Sequence, residues 1–97
     1  AEEIIEEKFG EKMIGDERLA QAYFGAKEFN KTIIIWKKLI EVEPNNTRLR
    51  TALAATYIEV GDRVNAVKEI RKAIEIDPNF KDQGEFFIRE IEAGRNP

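Results

Sequence analysis

Pro44 and Pro78 stand 34 residues apart, and the same offset carries Leu19 onto Leu53, Tyr23 onto Tyr57 and Trp36 onto Ile70. A fixed period of this size marks a stacked array. Each unit of such an array is one supersecondary element that cannot bury its apolar face alone, so it leans on its neighbour and the chain extends as a solenoid. The period therefore points to a surface that holds other proteins.

The period reads most cleanly over residues 47–80. Leu49, Leu53 and Tyr57 recur every four residues, and Val60, Val64, Val67, Ile70 and Ile74 every three or four, which is helical spacing. Two helices are implied. Gly61 accepts the left-handed conformation that closes the first, and Asp62 can cap the amides that open the second. So short a turn makes the pair antiparallel. Asp77-Pro78 ends the second helix, because proline disfavours helical backbone in the residue before it and has no N–H to donate.

Residues 13–46 follow the same plan: Leu19, Ala20 and Tyr23 on a first helix, Trp36 and Leu39 on a second, Glu43-Pro44 at the end. Within them Thr32-Ile33-Ile34-Ile35-Trp36 is β-branched and apolar enough to pass for a buried strand. These residues align with Ala66-Val67-Lys68-Glu69-Ile70, whose mixed order suits only a helix, so the register predicts helix here too.

A third unit begins over residues 81–94, where Asp82 and Glu85 resemble a capping box and Phe86, Phe87, Ile88 and Ile91 continue an apolar stripe to Gly94. A lone last helix serves to cap an array. Residues 1–12 read either as a short acidic helix over Glu2 to Phe9, packing Ile4, Ile5 and Phe9 on the first unit, or as a linker. Residues 95–97 form a tail that resembles a natural C-terminus, and Ala1 in place of Met suggests a processed or excised chain, so further domains are expected upstream.

The fold class expected is therefore all-α: two helix pairs plus a capping helix. The net charge of -3 resides in residues 1–12, and the rest balances. A neutral body lacks the concentrated positive footprint that displaces counterions from phosphate, so no nucleic-acid partner is expected. No apolar run is long enough for membrane insertion. Without cysteine the chain has no disulfide or thiolate chemistry, and its compartment stays open.

The two units resemble the tetratricopeptide repeat, which runs Trp-x2-Leu-Gly-x2-Tyr, then Ala-x3-Phe, then Pro. The second carries Leu53, Ala54, Tyr57, Ala66, Ile70, Ala73 and Pro78, and the first Leu19, Ala20, Tyr23, Thr32, Trp36, Leu39 and Pro44. The early tryptophan is replaced by Asp16 and Arg50, the glycine by Ala20 and Ala54, and the small residue by Thr32. The resemblance implies a right-handed superhelix whose first helices line a concave groove that binds peptides or protein segments. It places Ile14, Glu17, Arg18, Gln21 and Phe24 in the groove from the first unit, with Arg48, Thr51, Ala52, Ala55, Ile58 and Glu59 from the second. The cap adds Asp82, Glu85, Phe86 and Arg89.

The family's chaperone-binding subset grips a C-terminal carboxylate with lysine, asparagine and arginine. Glu17, Gln21, Ala52, Asp82 and Phe86 hold those places here, so the clamp is absent and its charge partly inverted. Arg18, Arg48 and Arg89 pair either with a partner's carboxylates or with Glu17, Glu59 and Asp82 on their own face. Tyr23, Phe29, Trp36, Tyr57 and Phe80 are expected to pack in the interior.

Ile34 and Ile35 align with Lys68 and Glu69, so an apolar patch is expected on the back of the first unit. Its cover is the N-terminal segment or a second copy of the chain, as a homodimer. With neither histidine nor cysteine, and no carboxylate pair or phosphate loop in a catalytic arrangement, no enzyme activity, metal or cofactor is expected. The expected function is a non-catalytic protein-interaction scaffold, and the alternative is a self-associating assembly module.

Overall fold

A computed structural model describes residues 17–94. They form α1 (Glu17–Gly25), α2 (Phe29–Val42), α3 (Thr47–Glu59), α4 (Arg63–Ile76), a 3-10 turn (Pro78–Phe80) and α5 (Lys81–Glu92). Each helix packs on the next in chain order, which makes an all-α solenoid. The expected helix over Glu2 to Phe9, with Ile4, Ile5 and Phe9, lies outside the described residues, as do Ile14 and the tail.

The core follows the 34-residue register. Ala20, Trp36, Leu39, Leu49, Leu53, Ala54, Tyr57, Ala66, Ile70 and Ala73 are buried, and Ile88 and Ile91 of α5 extend the interior. Removing each large side chain from water contributes about 1.5–3 kcal/mol, so packing holds these short helices in place more than intrinsic propensity does. Tyr23 and Phe80 pack half-buried on this core, and Lys31 Nζ lies 5.4 Å from the Tyr23 ring centre. Thr32 and Thr56 are buried too. Their hydroxyls donate back to the carbonyls of Glu28 and Ala52, each at 3.0 Å, which satisfies them inside the helix. The strand-like run at Thr32 to Trp36 is thus helical, because its alternation of buried and exposed positions is set by contacts with neighbouring helices.

The turns after α1 and α3 are built alike. After α3 the amide of Asp62 donates to Tyr57 and that of Gly61 to Ile58, at 2.8 and 3.0 Å. After α1 the amide of Glu28 donates to Tyr23 and that of Lys27 to Phe24, at 2.9 and 3.0 Å. Both are Schellman closures around a left-handed residue. Asp62 then caps α4 by accepting from the Asn65 amide at 3.2 Å, and Asn46 caps α3 through the amides of Arg48 and Leu49.

Two expectations are corrected. Asp82 and Glu85 form no capping box, because α5 starts at Lys81 and runs straight out of the 3-10 turn. The cap lies further upstream, where Asp77 accepts from the Asn79 amide at 3.1 Å, with Pro78 at the first position of the turn. The apolar patch also shrinks: Ile34 is 55% exposed, whereas Ile35 is 4% exposed and belongs to the core. Its counterpart Glu69 is itself drawn inward. The Arg50 guanidinium pairs with it at 3.1 Å, both side chains being under 15% exposed. The position faces a neighbouring helix, and the chain fills it with isoleucine in one unit and an ion pair in the next.

Candidate protein-binding site

α3 presents Arg48, Thr51, Ala55 and Ile58 at spacings of three and four residues, hence on one helix face. α5 presents Gln83, Phe87 and Ile91 at spacings of four, also on one face. Between these faces lies a cleft of about 570 Å³, with Ala54 and Ile70 at its floor and Phe80 closing its wall. The opening turns of α3 and α5 supply its polar side chains, Thr47, Arg48, Thr51 and Gln83. The rest of the lining is apolar. A concave, largely apolar cleft with a few convergent polar groups is the general form of a recognition site.

Its aromatic wall is braced from outside. Phe87 packs on Phe80 with ring centres 6.0 Å apart and on Phe86 at 6.1 Å. Phe86 itself is 46% exposed and lies outside the cleft. Gly84 lets α5 approach α4 closely: a methyl group there would stand 2.7 Å from two side-chain carbons of Ile74 and 3.0 Å from the Phe80 ring.

Arg48 is already engaged. Its guanidinium forms a two-pronged pair with the Glu17 carboxylate, Nη2 to Oε2 measuring 2.9 Å, so the bridge ties α1 to α3 beside the cleft. The hydrogen bonds and charge of Glu17 hold the Arg48 pKa above its ordinary value. Of the two readings open for this arginine, the structure contains the internal one.

Four of the expected groove residues, Arg48, Thr51, Ala55 and Ile58, line this cleft together. Arg18, Gln21 and Phe24 of α1, with Phe86 and Arg89 of α5, do not. Phe24 instead meets Phe29 edge-on, ring centres 5.4 Å apart, across the turn between α1 and α2. Phe80, Gln83, Phe87 and Ile91 were missed. The signal for three of them was present, since Gln83, Phe87 and Ile91 align with the buried stripe Leu49, Leu53 and Tyr57.

Among the described residues no cluster has the composition of a metal site, and no helix is long and apolar enough to cross a membrane. Residues 47–80, which comprise α3, α4 and the 3-10 turn, match the family model described as the tetratricopeptide repeat. No curated protein matches the chain.

Proposed function

From the match of residues 47–80 to the tetratricopeptide-repeat family model, we propose that the chain is a non-catalytic scaffold whose α3–α5 cleft holds an extended or helical segment of a partner protein. Repeats of this family are protein-interaction modules, which supplies the general class of function. The observation that carries the finer reading is the cleft itself: two helix faces converge on apolar side chains while polar groups collect at one end. Apolar anchors of a bound segment give affinity in such a site, and the polar end fixes their direction.

The test uses peptides selected from a random display library against the intact chain. Ala55 lines the cleft yet is exposed, so Ala55→Arg fills the site without disturbing the core. Selected peptides should lose binding to that variant and keep it with Phe86→Ser, which changes an aromatic outside the cleft. Peptides that bind Ala55→Arg as well as the parent chain contradict the reading.

A further inference from the structure

We infer that the outer face of α2 and α4 is a second docking surface, for an acidic polypeptide segment that also carries apolar side chains. The balanced charge of the body hides a separation. Along the bodies of α2 and α4 there are seven bases, Lys31, Lys37, Lys38, Arg63, Lys68, Arg71 and Lys72, against Glu41, Glu69 and Glu75, whereas the acids Glu28, Glu43, Asp62 and Asp77 sit at the helix ends, Glu28 paired with Lys31 at 3.2 Å. Across α1, α3 and α5 there are five bases against six acids. Glu69 is turned inward to Arg50, which leaves the outer face more basic still.

The basic residues repeat in register. The 34-residue offset carries Lys37-Lys38 onto Arg71-Lys72, and all four are exposed. Beside the second pair is a cleft of about 460 Å³ between α4 and α5, lined by Lys68, Arg71 and Lys72 over Ile74 and Ile88. Glu75 and Glu85 also line it. Positive side chains above an apolar floor suit a ligand with both carboxylates and hydrocarbon, because the charges steer encounter while the floor rewards desolvation.

The same geometry disfavours a uniform polyanion. Glu41 and Glu75 follow the two basic pairs at equivalent positions one turn along, and Glu41 lies 3.5 Å from Lys38 Nζ. A phosphodiester backbone meets those carboxylates at each repeat and brings no hydrocarbon to the Ile74–Ile88 floor, and an anionic bilayer presents its charge as a plane, whereas this floor is recessed between α4 and α5 with Ile88 7% exposed. A polypeptide can alternate its groups to match. This surface is independent of the α3–α5 cleft, so Ala55→Arg leaves it intact.

Fluorescence anisotropy with a short labelled peptide of alternating glutamate and leucine tests the inference at low salt. The intact chain should bind it, and added salt should weaken the complex. Arg71→Glu combined with Lys72→Glu should lower affinity about tenfold or more, with Lys37→Glu plus Lys38→Glu giving a smaller loss. Both double variants change exposed side chains, and circular dichroism checks that their helix content is kept. The inference is overturned by absence of binding or by equal binding to the Arg71/Lys72 variant. It is overturned equally if an all-glutamate peptide, a single-stranded oligonucleotide or phosphatidylserine–phosphatidylcholine vesicles bind as tightly as the mixed peptide.

Discussion

Lys27 and Gly61 occupy equivalent positions in the turns after α1 and α3, and both have left-handed backbone, with φ of 62° and 79°. Each donates the same closing hydrogen bond at 3.0 Å, Lys27 to Phe24 and Gly61 to Ile58. Glycine adopts this conformation without steric cost, whereas a side chain crowds the neighbouring carbonyl. The first turn therefore stores strain that the second avoids. Lys27→Gly should stabilise the chain by about 1 kcal/mol, and Gly61→Ala should destabilise it by about 1 kcal/mol. Chemical denaturation of the two variants checks the opposite signs.

Arg50 and Glu69 form a half-enclosed pair, and Arg50 also donates to the Pro44 carbonyl at 3.1 Å from Nη2. Removing only the guanidinium leaves a poorly hydrated carboxylate alone. Arg50→Met should cost about 2–3 kcal/mol, while Arg50→Met with Glu69→Ile should recover most of that loss. The first unit already has isoleucine at the equivalent position, Ile35, 4% exposed. A double-mutant cycle by urea denaturation measures the coupling.

The Asp62 pKa is held below its ordinary value of 3.8, first by the hydrogen bond from the Asn65 side chain and then by that from the Asn65 amide. A carboxylate whose folded pKa is depressed contributes stability above its unfolded pKa, and that contribution fades as pH falls from there through the folded value. Asp62→Ala should cost about 1 kcal/mol at neutral pH through loss of the cap. Asp62→Asn keeps an acceptor and should retain most of the neutral-pH stability, with a flatter decline below pH 3.8. Thermal melts across the acid range separate the two variants.

Much of this was legible because helix caps, turns and buried stripes are local and repeat with the chain. Asp62, Gly61, Leu53 and Trp36 declare themselves by spacing and chemistry. Ile35 did not, since whether a position meets solvent or a neighbouring helix depends on packing, and Glu69 concealed its burial behind a charge that Arg50 neutralises. The far wall of the cleft escaped for a related reason. Register carries the groove positions Arg48 and Ala55 onto Asp82 and Arg89, but the cleft is bounded by the face of α5 turned toward α3, which is that of Gln83, Phe87 and Ile91. The cap before α5 was misplaced to Asp82 because a proline that ends one helix also opens a 3-10 turn into the next, which Asp77 caps.

Gly84 sets the distance between α5 and α4. Gly84→Ala gains helix propensity, yet its methyl group overlaps Ile74 and Phe80, and overpacking costs about 1–3 kcal/mol. Net destabilisation of about 1 kcal/mol is expected, partly relieved by Ile74→Val, which removes one of the two carbons at 2.7 Å. Calorimetric melting of the single and double variants tests this.

If a polypeptide segment occupies the cleft between α3 and α5, chemical-shift mapping with a display-selected peptide reads its footprint residue by residue. Titration should move the backbone amide signals of Thr51, Ala55, Ile58, Gln83 and Phe87 together, while those of Ile34 and Lys38 on α2 stay in place. Shifts confined to α2, or spread evenly over all five helices, contradict that occupancy.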